Sequence, residues 1–512
     1  MPFDVKAYGA AGTGTVNDAP AVQAAVNAAA AAAGEVIFPE GEYRLDATIA
    51  VPSGVRLRGA GGRIRKGSNV NQVILNLENA ASVTVENLTI VNSGGNLVGS
   101  AIRCRGAYNI SIRGNRFVAL ATSNIYNGGL YIDLVEACIG VRVEDNEFLN
   151  GRSALNVGTA DPAAMSTDVI FIGNVVKVMK DEGIDLNLSI TRAVIANNTF
   201  EDCTDPASGA NEVIDVGGLT TLDVVISGNT IDLSGKAVRA ISVKRAPTPF
   251  PPGSITSRIV ISGNSITNGS ASGGAAIYMG AVSNAVITGN TINGGYYGIT
   301  LEGQTSLTVV GHNTIQNTAS YAVRDTNGDR NIVEGNNIIS PSTTTDMVRM
   351  LGTNWAVRNN TVAGGARGIV TVTASAEIGS PCMITNNDVS GTQDYAIVCR
   401  SPLSVVSGNR VHDNQEMGIS VGPGEGCLVS GNVVYGNNLS NQPDRFGINL
   451  AGQHNGAVIT GNVVRGANQG GIRFVGPTDR AIFTDNHILY NGQPNVVGLG
   501  NLTNSVVADN IT

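Results

Sequence analysis

Apolar and polar positions alternate along this chain in short bursts, and the bursts repeat. The stretches VISGNTI, VISGNSI, VITGNTI and VITGNVV begin at residues 225, 260, 286 and 458. Each copy reads apolar-x-apolar-x-[Gly/Asn]-Asn-x-apolar. A period of two marks a strand with one buried face. The Gly-Asn pair marks a turn, because Gly and Asn accept the positive φ of a sharp bend. The recurring Asn runs from Asn115 to Asn486, and its 14 intervals span 371 residues, a mean of about 26.

A second strand signal lies between the copies, as in GIDL (183–186), VIDV (213–216), AISV (240–243), GITL (298–301) and GINL (447–450). Two or three short strands per repeat leave no room for a helical crossover. A propeller blade needs about 40–45 residues, and no LxxLxL consensus appears. The pattern therefore predicts an all-β fold, a right-handed parallel β-helix (a solenoid of roughly 15 coils), each repeat forming one coil. Stacked coils lie about 4.8 Å apart, so the Asn column is expected to hydrogen-bond along its length as a ladder. Loops absorb the unequal spacing.

The first residues follow another pattern. In NDAPAVQAAVNAAAAAAG, Asp18 is the N-cap candidate, Pro20 sits in the first turn and Gly34 is the stop. This predicts one amphipathic helix laid over the open end of the apolar core. GEVIFPEGEYRL then reads as strand, turn, strand. The expected organisation is an N-terminal cap over 1–60, continuous with a β-helix over 61–512, effectively a single domain.

Composition narrows the function. The 512 residues include 65 Gly and only 14% charged residues, which suits many short strands with tight turns. The net charge of −8 comes without a basic stripe, which argues against a nucleic-acid partner. No apolar run approaches the roughly 20 residues of a membrane span, so no membrane insertion is expected. The Ala-rich run follows polar residues and is no secretion signal. The six cysteines form no CxxC pair and read as plain buried thiols.

The opening FDVKAYGAAGTGTVNDAPAVQAAVNAAAAAAGEVIFPEGEYRL, followed by VPSGVRLRGAG, resembles the pectate-lyase-like right-handed parallel β-helix superfamily. That superfamily includes polygalacturonases, mannuronan epimerases, polysaccharide lyases and phage tailspike depolymerases. Its usual GDGVTDD is reduced here to GTGTVNDAP, which retains only Asp18. The Gly-His-Gly and Asp-Pro-His-Glu motifs of two of these groups are absent. The four His, at 312, 412, 454 and 487, lie far downstream.

Aligned by coil, the outward position of the second strand reads Asp133, Asn156, Asp185, Asp215, Ser242, Tyr278, Thr300, Arg324 and Arg349. Two places on lie Asn187, Lys244 and Glu302, and the flanks add Glu182, Glu212, Arg239 and Arg245. Carboxylates on adjacent coils raise one another's pKa or recruit a cation. The longest inserts, CTDPASGANE and KRAPTPFPPGSITS, flank these coils and are expected to wall a cleft. Two mechanisms fit. In hydrolysis, Asp185 and Asp215 form the acid–base pair with Asp133 nearby, an order similar to that of polygalacturonases, whose R-I-K motif AISVKR resembles. In β-elimination, the resemblance implies that Asp185, Asp215 and Glu212 hold Ca²⁺ and that Lys244 or Arg245 removes a proton. No other cofactor is expected. Asn156, Asn187, Arg239, Tyr278, Phe250, Arg324 and Arg349 are the expected substrate-binding residues, with Phe250 and Tyr278 stacking on sugar faces.

The expected partner is therefore a polysaccharide or oligosaccharide, probed outside the cell or on a particle. The alternative is a non-catalytic glycan-binding spike or structural solenoid of a phage-like particle. NSVVADNIT stops in mid-repeat, so a further subunit or further residues are expected over the last coil. This predicts a homo-oligomer, with a trimer as in spikes of this fold.

Overall fold

A computed structural model describes residues 2–67, 73–92, 99–119, 129–158, 164–204, 211–245, 253–342, 344–372, 381–492 and 494–512. The chain is all-β and 5% helical, a parallel β-solenoid of about 17 turns rather than 15. Counting by Asn missed the earliest turns. There the strands Glu35–Leu45 and Arg56–Lys66 run on without the Asn corner. The described residues fall into two compact units, Met1–Gly269 and Ser270–Thr512, a division the alternation does not mark.

In each unit the expected ladder is present. In the first, Nδ2 of Asn115 donates to Oδ1 of Asn146 at 3.0 Å, and the same bond continues through Asn174, Asn198, Asn229 and Asn264 at 2.9–3.1 Å. In the second it runs from Asn290 to Asn510. From Asn115 to Asn264 and from Asn313 to Asn510 each ladder Asn also accepts a backbone N–H from the preceding turn, as from Asn115 N to Asn146 Oδ1 at 2.9 Å. The residue before the ladder Asn takes the positive φ, as Gly114 and Gly228 do at 62° and 64°. Where Gly is replaced, Asp145, Asn197, His312 and Asn359 carry it instead.

Inward side chains stack turn upon turn. In the first unit, the rings of Phe117 and Phe148 lie 4.8 Å apart and nearly parallel, with Phe171 following at 5.8 Å. All three are fully buried. The second unit fills the same role with aliphatic residues such as Ile315, Ile338 and Val389.

The predicted helix spans Ala19–Ala31 and buries Val22, Ala25, Val26 and Ala29 against the first strands. Asp18 precedes it, yet its side chain does not cap the helix. Its carboxylate instead accepts from the backbone N–H groups of Ala11 and Gly12 at 2.6 and 3.3 Å, while Asn17 Oδ1 accepts from Ala19 N at 3.1 Å. No described helix is long and apolar enough to cross a membrane. All six cysteines are free and buried.

Candidate active site

The register of the first unit places Arg103, Asp133, Asn156, Asp185, Asp215 and Ser242 in one file on successive turns. They occupy the alternate positions between inward apolar residues, such as Ile184 and Leu186 around Asp185. Their exposure differs. Asp133 and Asp215 are each only 5% exposed, whereas Asp185 is half-buried.

Asp133 is saturated by donors. It accepts from Ser100 Oγ at 3.1 Å, Arg103 Nε at 3.1 Å and Asn156 Nδ2 at 2.9 Å. Its place is that of an anchor for the file, and Asn156 is spent on holding it. At the other end, Lys244 Nζ sits between two acids, 3.0 Å from Asp215 Oδ2 and 3.1 Å from Glu212 Oε1. Arg239 Nη1 adds a second cation to Glu212 Oε1 at 2.8 Å. Burial alone would lower the Lys244 pKa, but the charges of Asp215 and Glu212 outweigh it and raise it. Burial raises the Asp215 carboxyl, against the pull of Lys244. Among the described residues, Oδ1 of Asp215 and the fully buried Ser242 Oγ have no hydrogen-bond partner. Arg245 Nη1 donates to the Ser254 carbonyl at 3.5 Å.

Beside the middle of the file lies Glu182, read from the sequence only as a flank. Glu182 lies two positions before Ile184, in the column that Glu212 and Arg239 continue on the next turns. Burial, then the charges of Asp181 and Asp185, push its carboxyl up to about 9. Asp181 is tied to Arg152 Nε at 2.7 Å. Asp181 was not singled out from the sequence; the signal that could have found it is the pair of acids immediately before GIDL.

The expected Ca²⁺ set does not assemble. Among the described residues no group of three or more His, Cys, Asp or Glu is arranged to hold a metal ion. Asp215 and Glu212 turn to Lys244, whose ammonium takes the place between them. Phe250 and much of the two long inserts lie outside the described residues, as does the side chain of Asn187.

Tyr278, Arg324 and Arg349 belong to the second unit, where Tyr278, Thr300, Arg324 and Arg349 are in register. The guanidinium of Arg324 lies 5.4 and 5.6 Å from the ring centres of Tyr297 and Tyr321, which stack at 5.8 Å. Arg349 Nη1 donates to the Tyr321 hydroxyl at 2.7 Å. These tyrosine faces cover one another. A further acidic pair lies downstream, where burial and then a hydrogen bond to Glu416 push Asp394 up to about 6. Arg445 Nε holds Glu416 at 2.6 Å.

The profile described as "Right handed beta helix region" matches residues 140–313 and 297–454, more than half of the chain. This chain belongs to the right-handed β-helix family. Within this β-helix protein, residues 3–208 match "Rhamnogalacturonase A/epimerase, pectate lyase-like" and residues 399–511 match "Periplasmic copper-binding protein (NosD)". No curated protein matches the chain. Among solved structures, the β-helix protein is similar to PfbA, a surface adhesin of Streptococcus pneumoniae, at 16% identity and a TM-score of 0.47, covering 60% of this chain and 89% of that one. An E. coli bacteriophage tailspike gives 14%, 0.43, 76% and 75% on the same measures. An alginate lyase from a Paenibacillus species gives 14%, 0.40, 52% and 92%.

Proposed function

We propose that the first unit is a carbohydrate-active site that cleaves an extracellular, acidic polysaccharide by hydrolysis. The observation that carries this reading is the pairing of Glu182 with Asp185 three residues on, where burial and the charges of Asp181 and Asp185 push the Glu182 carboxyl well above the ordinary carboxylate range. Glycoside hydrolysis needs a proton donor for the leaving oxygen and an ionised carboxylate for water or for the anomeric carbon. Glu182 supplies the first, and Asp185, the half-exposed member of the acid file, supplies the second. Asp215 and Lys244 border the reaction centre, with Arg239 and Arg245 supplying positive charge for an acidic sugar. The match of residues 3–208 to the profile "Rhamnogalacturonase A/epimerase, pectate lyase-like" supports carbohydrate chemistry at this site.

Elimination is the weaker reading on the same geometry. A lysine base must give up its proton, and Lys244 holds its own more tightly than a free lysine. A second reading, a glycan-binding spike without turnover, is favoured by the donor-saturated Asp133 and Glu212, which behave as structural groups. In either case the protein acts outside the cytoplasm or on a particle surface.

The test is incubation with a panel of uronate-containing and neutral polysaccharides. New reducing ends without the ultraviolet absorbance of an unsaturated uronate are the expected result. Unsaturated products would move the chemistry to Lys244 or Arg245, binding without products would select the spike, and no binding to any glycan would overturn both.

A further inference from the structure

The outer surface of the second unit carries a row that no catalytic argument uses. One outward strand position is in register over ten turns, from Val286 to Val506. Every one of those turns presents Val, Ile, Leu or Met there, or once Ala (Ala356). Four of these side chains are exposed, Val286 at 38%, Met383 at 48%, Ile482 at 42% and Val506 at 56%, and the other six are half-buried. An outward strand position has no folding reason to be aliphatic on every turn, since period-two strands normally put polar groups there.

Two leucines beside the row strengthen the point. Two residues before nine of the ten stripe residues lies a turn position in the left-handed region, filled among others by Asn284, Asn354, Gly426, Gly456 and Asn504, the exception being Pro381 before Met383. Leu307 and Leu403 occupy that position at φ 53° and are 41% and 44% exposed. A γ-branched residue there costs about 1 kcal/mol against Gly or Asn, and the fold covers only part of each side chain. Both extend the apolar row sideways.

We infer that this stripe is the face by which the second unit packs side by side against a second copy of the chain. Ten turns at about 4.8 Å make a row roughly 40 Å long, and only a partner with the same rise per turn can match it step for step. A second copy has that rise by construction. The stripe offers on the order of 500 Å² of apolar surface, as large as the biggest patches monomers leave open, which are often functional. With its polar border it approaches the roughly 800 Å² per partner of a stable association.

The border is also compatible with itself. Two residues past the stripe lie small or hydroxyl residues such as Thr288, Ser407, Ser430 and Thr460, and the charged pair there, Glu334 and Arg358, is neutralised at 2.7 Å. On the other side Arg330 and Arg480 are held by Asp329 and Asp479. Identical faces therefore meet without net repulsion. Residues 270–512 contain no lysine at all, a residue depleted from protein interfaces and favoured at membrane surfaces. A glycan would find few hydrogen-bonding groups along the aliphatic row.

Sedimentation equilibrium of the full chain tests the inference. The expected result is a concentration-dependent assembly above the 52.6 kDa monomer. Met383→Lys with Leu428→Lys should weaken it at least tenfold. Leu307→Asn with Leu403→Asn should weaken it too while leaving the melting temperature of the dissociated chain unchanged or higher, because Asn suits the left-handed turn. A monomer at all concentrations, an assembly that neither pair of substitutions disturbs, or a monomer that takes up lipid vesicles or polysaccharide through the stripe would each overturn it.

Discussion

Asp185 and Asp215 stand on adjacent turns of one file, yet their surroundings assign them different work. Asp215 is nearly buried and bonded to Lys244, so Asp215→Asn leaves that ammonium with Glu212 alone and should lower stability as well as turnover. Asp185 is half-buried, and Asp185→Asn should cut turnover by about a hundredfold or more without a measurable change in melting temperature. Full activity in Asp185→Asn would remove it from the chemistry. Glu182 gives a pH test. Its folded value of about 9 lies above the ordinary 4.5, so the folded chain holds a proton that the unfolded chain releases. Its contribution is present below about 4.5 and is lost as pH rises to about 9. Glu182→Gln, neutral throughout, should flatten that part of the stability–pH curve in urea unfolding and be the more stable form at high pH. The thiols give a third test. The Cys399 thiol is pushed down to about 6 by its neighbour Cys382, 3.4 Å away, but it is fully buried. Access decides reactivity, so no thiol should react with Ellman's reagent until the chain unfolds, when six should.

The ladder is where one letter of sequence becomes an element. Oδ1 of Asn360 accepts from both the backbone N–H and Nδ2 of Asn336, and its Nδ2 donates to Val333 O and Asn387 Oδ1. Asn360→Ala strands buried donors and acceptors on the two neighbouring turns and should cost about 3 kcal/mol in urea unfolding. Asn360→Asp should cost as much, because a carboxylate cannot donate to Asn387. A loss under about 0.5 kcal/mol would mean the corner is held by its backbone alone. This element was legible because parallel stacking brings equivalent positions together, so repetition in the chain becomes contact in space. Asp18 shows the opposite case. Its place before the helix was readable, but the Ala11–Gly12 loop that captures its carboxylate was not, because that loop reaches it through tertiary folding.

At the scale of the molecule, each unit is quasi-one-dimensional, with every turn in contact chiefly with its neighbours. Such a surface is a set of parallel rows, and a row acquires a character only when summed over turns. The acid file of the first unit and the aliphatic stripe of the second are both of this kind. The charge of −8 at pH 7 vanishes near pH 5.1, so turbidity should show a solubility minimum there as long-range repulsion fades.

Taken alone, the order of residues established the fold, the register and the outward file, because period two and an Asn every 26 or so residues admit few other arrangements. Only the folded chain decided protonation and pairing. Whether a carboxyl on that file is spent on an arginine, bridged by Lys244 or left protonated depends on burial and on charges brought from neighbouring turns, and those distances are not written in any single repeat.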